Sequence, residues 1–420
     1  MNSFLRIFFL ELTSLVRSKT FALLALASAA WMFVFPYIVK GDGTIEGARE
    51  LYIRFSLGGV FALLAVSLLA GATASIASER AAKRLDLTMV RPVAFFFIAS
   101  GKVLAHVAVG AVILAMASAI LLFKVGAGRP CSHVYSPQLP TPQEEARMMY
   151  DVFMNSPETP QAVKKAKKST VMRILAQRAR DHYRTVVTNA AARWKFDPAL
   201  YATCGDGEAK MRFRLTNAND MRQDVKGSVV WGDRAGSFSS MTGSFIEVPL
   251  VERAASTGAV DEVIFKNDGA LAIMLRPRQD VHLLIPADAF AFNLLRAYVV
   301  MLSLLALLVS FGVFLSASLS RPVALFTAVV LLVVGEISPS VVEQYPDQLE
   351  TDLADRIGLH ITRFSASLTS SLSSSSPLEA LSRDECVEAS HMLRMAVVDF
   401  VLLGAFFSLL AAFVMRQRQR

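Results

Sequence analysis

Two carboxylates of this 420-residue chain lie in or beside long apolar runs, where an ionisable side chain is costly. Asp399 falls within the last run and Glu336 at the end of a shorter one. Inserting such a charge costs about 2.5–3.5 kcal/mol, so these groups usually face protein or water. We expect each to line a polar cavity or to hydrogen-bond a neighbouring helix; together they could also serve an intramembrane enzyme. Lys102, Lys124 and Arg296 lie near run ends, where we expect them to snorkel.

A second group of charges crowds the segment "SERAAKRLDLTMVRPV" at 78–93, between two apolar runs. An acid–base pair opens it, an amphipathic turn follows, and an Arg-Pro pair breaks the helix. Proline disfavours helix at the preceding residue and is tolerated in a first turn. This order of residues predicts a short helix that is rigidly joined to two spans. A soluble partner protein would displace this helix and thereby move the spans. The residues expected to carry this coupling are Glu79, Arg80, Asp86, Leu87, Arg91 and Pro92.

The motifs of common enzymes are missing from the sequence. It has no GxxxxGK[ST] phosphate loop, no HExxH, no paired CxxC and no GxSxG. Its six histidines are spread without ligand-like spacing. We therefore expect a chain that is not an enzyme and that binds no metal or other cofactor itself.

The elements that hold these residues are massed apolar blocks, in a chain that is 54% hydrophobic and 19% charged. About 20 helical residues cross a hydrocarbon core of about 30 Å. Five runs have that length and a sixth is shorter, namely 21–39, 55–77, 103–125, 297–319, 395–415 and 323–337. The "ASA" at 27–29 resembles a signal-peptide cleavage site, but the apolar run continues well past it. We expect a polytopic α-helical membrane protein with about six transmembrane helices.

Lys and Arg in the short loops set the expected orientation. Basic residues precede the first span, fill 78–93, separate the fourth and fifth spans, and end the chain at 416–420. The basic residues of the short loop 40–54 are balanced in charge by acidic residues of the same loop. We therefore expect a multi-pass protein of the cell inner (plasma) membrane, with both termini cytoplasmic.

This topology divides the chain into membrane and outer parts. The expected parts are an interfacial helix 1–20, spans one to three over 21–126, an extracytoplasmic domain 127–288, spans four and five over 289–340, an outer loop 341–391 with a Ser-rich stretch, and the last span with a basic tail over 392–420. The interfacial helix rests on an apolar stripe of Phe4, Phe8, Leu12 and Leu15. Its alternative is a plain cytoplasmic extension of the first span.

The outer domain has two patterns. From 141 to about 196 it is helical and strongly basic, and from 211 to 285 it holds short β-type runs, with "NDG" at 267–269 as a hairpin signal. We expect an α+β domain containing a small β-sandwich. The basic helices are either a solvated face or a contact for anionic lipid head groups or a polyanionic substrate.

All three cysteines fall in the outer segments. An oxidising compartment allows one bridge and leaves one thiol over. Cys131 and Cys204 share a segment and are the expected pair. Three unlinked thiols, with Cys386 among them, are the alternative.

The membrane part, a little over half of the chain, resembles the type-2 ABC exporter permeases. Their coupling-helix region also has a Glu-Arg start, a Leu-rich middle, an Arg-Pro break and a Gly-Lys finish. "LELTSLVRSKTFALL" resembles their elbow helix, and "NLLRAYVVMLSLLALLVSFGVFLSASLSRPVALF" is similar to the fourth and fifth spans of members with an outer β-domain. The chain departs where many members have "ERERGTLE", since it has "ERAAKRLD", and compact members lack the outer domain.

The resemblance implies a permease subunit that couples ATP hydrolysis by a separate cytoplasmic ABC ATPase to substrate export. ATP and Mg would then be bound by that ATPase, not by this chain. A second permease copy or a homologous permease would complete the pathway within membrane lipid, with no role for nucleic acid. The substrate is not implied, because function belongs to sites rather than folds. The alternative is a non-transporting membrane scaffold or sensor whose outer domain binds a periplasmic or surface partner.

Overall fold

The computed structural model describes most of the chain as two compact units. The described residues are 3–38, 45–83, 94–128, 130–157, 168–180, 184–203, 209–216, 223–243, 245–252, 261–330, 333 and 377–418. One unit comprises Met1–Cys131 together with Asp288–Arg420, and the other comprises Ser132–Ala287.

The first unit is mainly helical, and four of the described helices, those between residues 142 and 280, belong to the second unit. In chain order the described helices are α1 (Ser3–Val16), α2 (Lys19–Ile38), α3 (Ile45–Tyr52), α4 (Gly58–Ala81), α5 (Phe95–Val125), α6 (Pro142–Asn155), α7 (Lys168–Arg180), α8 (Ala199–Thr203), α9 (Pro277–Asp280), α10 (Phe290–Ser318), α11 (Arg321–Val330), α12 (Pro377–Ser382), α13 (Ala389–Met395) and α14 (Gly404–Gln417). Two π-helical segments, Ile53–Leu57 and Ala396–Leu403, join α3 to α4 and α13 to α14. Each pair therefore forms one continuous helical stretch.

Four described stretches are long and apolar enough to cross a membrane. They are Gly47–Ala81, Phe95–Val125, Phe290–Ser318 and Ala389–Gln417. The pair α1 and α2, bent by 63°, gives a fifth if it counts as one span. The prediction of several apolar helices of membrane length is confirmed for these runs. The short run predicted at 323–337 begins in α11 and continues into residues outside those described.

α10 lies at the centre of the helical unit and packs against α4, α5 and α14. In its most apolar window 78% of the residues are buried, the largest share among the four long stretches. Gly312 permits a close approach, since a Cβ there would come 2.9 Å from the Ala72 Cβ on α4. Small residues at such contacts let helix backbones approach, which is how membrane helices associate by van der Waals packing.

The second unit is built around an antiparallel sheet. Its strands are β1 (Pro130–Tyr135), β2 (Arg184–Val186), β3 (Ala191–Lys195), β4 (Ala209–Arg214), β5 (Asp224–Trp231), β6 (Arg234–Met241), β7 (Phe245–Glu252), β8 (Glu262–Asn267), β9 (Ile273–Leu275) and β10 (Val281–Ala289). Among the described residues, eight strands form one sheet in the order β1-β10-β4-β7-β6-β5-β8-β3, and β2 pairs separately with β9.

The large sheet curls into a half-barrel, whereas the sequence predicts a β-sandwich of separate sheets. β4 and β8 are four places apart, which is about 19 Å in a flat sheet. Yet the rings of Phe213 on β4 and Phe265 on β8 have centroids 5.2 Å apart. The described pairing of β6 with β7 covers two residue pairs next to the β5–β6 turn, so the sheet folds there. One continuous sheet thereby encloses its own core, which includes Trp194 and Trp231.

The hairpin predicted at 267–269 does not form. β8 pairs with β3 and β5, while β9 pairs with β2. Asn267 is buried, and its Nδ2 donates to the Val186 carbonyl at 3.0 Å and the Leu271 carbonyl at 2.7 Å. The turn residue therefore ties neighbouring segments together instead of reversing one strand onto the next.

The basic helical part is shorter than predicted, because it ends at Arg180 and not near 196. The residues that follow form β2 and β3, and alternate residues of β3, Ala192 and Trp194, are buried. This period of two is typical of a strand with one face in a core. Aromatic and apolar burial thus decides the structure of a stretch whose composition suggested helix.

The disulfide joins Cys131 to Cys386, so the predicted pairing of Cys131 with Cys204 is wrong. The two Cα atoms are 5.4 Å apart although 255 positions separate them in the sequence. The side chain of Asn293 holds the backbone on both sides of Cys386 through hydrogen bonds of 2.6 and 2.7 Å. Tertiary contacts of α10, not shared membership of one segment, therefore select the partner. Cys204 lies outside the described residues.

Candidate functional site

A buried cation joins three helices next to the predicted coupling segment. Lys102, in the second turn of α5, is 3% exposed. Its Nζ donates to Glu11 Oε2 at 2.9 Å and to Glu79 Oε1 at 2.7 Å. Glu11 lies on α1 and Glu79 in the last turn of α4. The expectation that Lys102 snorkels is therefore wrong, because its charge is held inside the protein by two carboxylates.

α1 packs closely on α5 around this ion triad. A Cβ on Gly101 would come 3.1 Å from Ile7, and the rings of Phe4 and Phe97 have centroids 6.0 Å apart. The predicted apolar stripe of α1 is half-buried against the helical unit, where Leu12 joins the main core. The exposed apolar residues of α1 are Leu5, Phe9, Leu10 and Val16. The stripe expected to face the membrane interface thus faces protein, and a second apolar face is left outward.

The end of α4 is also tied to the end of α10. Arg80 donates from Nη1 to the Ala317 carbonyl at 3.0 Å and from Nη2 to the Leu319 carbonyl at 2.7 Å. One turn earlier, Ser316 Oγ accepts from the backbone N–H groups of Ile76 and Ala77 at 3.0 and 2.9 Å. Cations near a helix C-terminus satisfy its last carbonyls and favour its dipole. Arg80 therefore has a structural role in joining two helices.

The structure brings two of the six predicted coupling residues, Glu79 and Arg80, into this cluster. The other four, Asp86, Leu87, Arg91 and Pro92, lie outside the described residues. The cluster adds Glu11, Lys102 and His106, whose Nδ1 lies 2.9 Å from the Lys102 carbonyl. Glu11 does not belong to the predicted stripe of Phe4, Phe8, Leu12 and Leu15, but the structure places it on the same half-buried side of α1. A carboxylate on a buried face needs a cation inside the fold.

Asp399, which we expect to line a polar cavity or to hydrogen-bond a neighbouring helix, is buried within the protein. It is 3% exposed and lies in the π-helical segment Ala396–Leu403. A Cβ on nearby Gly404 would come 3.4 Å from Ser310 Oγ on α10, so this stretch packs tightly on the central helix. π-helical insertions of this kind are frequent at functional sites. Glu336, its predicted companion, lies outside the described residues.

A second polar cluster lies at the start of α10. Asn293 Nδ2 donates to the Glu385 carbonyl at 2.6 Å, and its Oδ1 accepts from the Val387 N–H at 2.7 Å. Arg296 pairs with Asp288 at 2.6 Å instead of standing alone at a span end. Together with the disulfide at Cys386, these bonds fix residues 384–387 against the central helix.

The segment before the last long stretch is also tied to α3. Arg49 pairs with Asp384 at 2.5 Å, and Arg383 lies 3.6 Å from Glu50 and 2.9 Å from Glu379. Lys124, at the end of α5, stands 5.3 Å from the centroid of the Phe33 ring. These ion pairs and this cation–π contact join neighbouring helical elements.

Both polar clusters contain ion pairs and hydrogen bonds that join helices to one another or to the segment 384–387. In the described part of the chain no group of three or more His, Cys, Asp or Glu residues is placed to hold a metal ion. The Lys102 cluster instead joins α1, α4 and α5 around the predicted coupling segment, and Arg80 extends the connection to α10. No family model, no curated protein and no solved structure matches the chain, so its function is argued from this geometry.

Proposed function

We propose that the chain is a permease subunit of an ABC-type exporter, driven by a separate cytoplasmic ATPase. The observation that carries the proposal is the buried Lys102 triad. It fixes the end of α4 to the start of α5, and these are the helices that flank the segment 84–93. A segment that transmits a displacement from a partner protein must be rigidly attached to its neighbouring helices, because otherwise the displacement would be lost in local bending.

The connection to α10 supports the same mechanism. A displacement of α4 is transmitted through the two hydrogen bonds of Arg80 and the two at Ser316. α10 is the most enclosed of the long stretches, so its movement repacks the whole helical unit. Domain and helix shifts of this kind are how nucleotide-driven proteins alternate between arrangements.

The expected orientation, with both termini cytoplasmic, is also part of the proposal. Arg80 and Arg418 both donate to carbonyls at the C-terminal end of α10, so two of the basic chain segments share one end of the unit. The disulfide at Cys386 is held at the N-terminal end of α10, by Asn293. Positive residues favour the cytoplasmic side and disulfides persist in oxidising compartments, so the two ends fit opposite sides of a plasma membrane.

The remaining expectations complete the proposal. About six spans would include the bent pair α1–α2 and α11 beside the four long stretches. A second permease, identical or homologous, would form the pathway with this chain, and ATP and Mg would bind to the ATPase. Asp399 would line the pathway or stabilise its wall, since it lies buried beside the central helix.

Purification of the full chain from its native cells in mild detergent tests the proposal. We expect a protein with a GxxxxGK[ST] loop to be recovered with the wild type and to be lost with Arg91→Glu. Arg416→Glu is the matched control, since it reverses a basic charge at the same predicted side and should keep the ATPase. Recovery of no ATPase, or equal recovery with Arg91→Glu, would refute the proposal; recovery of an outer protein alone would favour the scaffold alternative.

A further inference from the structure

The helical pair α6–α7 of the second unit has a small core of its own. Ala146 on α6 and Val171 and Leu175 on α7 are buried together, with Tyr150 and Phe153 packed at their edge. α6 begins with a capping box in which Thr141 and Glu144 satisfy each other's backbone N–H groups. The packing needs of both helices are therefore met by their inner faces.

Their outer surfaces nevertheless expose large apolar side chains. Met148 is 62% exposed and Val152 is 75% exposed, and their spacing of four places them on one face of α6. Met149 and, on α7, Ile174 are exposed as well. Single exposed apolar residues are ordinary, but Met148 and Val152 lie one turn apart on α6, and neighbouring exposed apolar residues mark an interaction surface.

Positive charge accompanies these residues. From the start of α6 to the end of α7 the chain has eight Lys and Arg residues against Glu144, Glu145, Asp151 and Glu158, a net charge of +4, and no acid follows Glu158. Among the described side chains, Arg147, Lys168 and Arg178 are exposed. Exposed apolar residues beside clustered cations match an anionic bilayer, because apolar groups enter the interface while cations meet the lipid phosphates.

We propose that the α6–α7 pair is a docking surface for an anionic phospholipid bilayer. Met148, Val152 and Ile174 contact the interfacial region, and the exposed cations Lys168 and Arg178 contact the head groups. A soluble polyanion would use the cations but leave the apolar residues without a role, which is why the observations favour lipid. The inference does not depend on the proposed transport function.

A fluorescent label at position 152 tests the contact. The full chain carrying Cys204→Ser and Val152→Cys is labelled with bimane in zwitterionic nanodiscs and titrated with vesicles that contain phosphatidylglycerol and a spin-labelled quenching lipid. We expect quenching with these vesicles and little with phosphatidylcholine vesicles. Val251→Cys is the matched control, since Val251 is an exposed valine of the same unit and should stay unquenched. Placing the quencher in the nanodisc also registers contact with the protein's own bilayer.

Charge variants complete the test. Each cation near an anionic surface contributes about fivefold in binding, so Lys168→Gln with Arg178→Gln should weaken vesicle binding about 25-fold. Lys195→Gln with Lys226→Gln, at exposed strand positions of the same unit, should leave it unchanged. Equal quenching at 152 and 251, equal effects of the two double variants, or binding of inorganic polyphosphate without vesicle quenching would overturn the proposal. None of these outcomes bears on whether an ATPase binds the chain.

Discussion

Replacing Lys102 by methionine should strongly destabilise the helical unit, because it leaves two carboxylates without their common cation. Glu11 is 13% exposed and Glu79 is 30% exposed in the triad. Breaking a buried ion pair by removing one partner costs about 3–5 kcal/mol. Glu79 is exposed enough to regain water, so the lower end applies. We expect a loss of about 3 kcal/mol, which is about 150-fold in the unfolding equilibrium.

Equilibrium unfolding of the purified protein in mild detergent, driven by sodium dodecyl sulfate, measures this loss. Far-UV circular dichroism follows mainly the first unit, since the second is built mostly of strands. Lys124→Met is the matched control at the other end of α5, where the ammonium is exposed beside the Phe33 ring. Lys124 Nζ also lies 5.6 Å from the centroid of the Tyr52 ring, and each exposed cation–π contact contributes about 0.5–1 kcal/mol, so the control should lose no more than about 2 kcal/mol.

The triple variant Glu11→Gln, Lys102→Met, Glu79→Gln separates charge from packing. With all three charges removed, no carboxylate is left buried without a cation. We therefore expect the triple variant to recover most of the stability that Lys102→Met loses. Its methionine side chain keeps the volume of the lysine stem. The reasoning is refuted if Lys102→Met is as stable as Lys124→Met, or if the triple variant is as unstable as Lys102→Met alone.

Three further predictions concern the opposite end of α10 and the sheet. Cys386→Ser should cost about 2–5 kcal/mol, measured in the same titration, and cysteine labelling should then show a free Cys131. Asn293→Leu leaves a carbonyl and an N–H beside Cys386 without their partner, so limited proteolysis should cut 384–387 faster at a cost of about 2–4 kcal/mol. The hydrogen bond from Ser228, with a smaller effect of Lys266, lowers the pKa of Asp268, so its stabilisation is present above about pH 4 and lost as pH falls through the lowered value. Ser228→Ala should reduce this dependence in acid unfolding curves.

The long apolar helices were predictable from the sequence because their physical cause is local. A run such as 297–319 is apolar around its whole circumference, and α10 is correspondingly the most enclosed stretch. The stripe on α1 was also found at the right positions. The surface that this stripe contacts was not predicted. A period of 3.6 shows that a helix has a buried face but not whether lipid or protein covers it.

The errors share a different cause, which is distance along the chain. Cys131 and Cys386 are far apart in sequence and meet because α10 holds the backbone around Cys386. Asn267 is a turn residue by type, but its amide finds carbonyls of two other segments. The Lys102 triad draws on three helices, and the sequence pattern did not place Glu11 on the buried stripe of α1. Such partners depend on tertiary contacts that composition and period do not contain.

α10 connects the cluster around Lys102 and Arg80 with the cluster around Asn293. Its 29 residues span about 43 Å. Arg80 and Ser316 bind α4 at its C-terminal end, and Asn293 near its N-terminal end holds the disulfide-bonded segment. An enclosed helix has little room to bend within its packing, so we expect a displacement of α4 to move or strain the segment at the other end. On the proposed function, α10 therefore transmits the displacement caused by the cytoplasmic ATPase to the outer loop. Replacement of Asn293 should then uncouple transport from ATP hydrolysis while leaving ATPase binding intact.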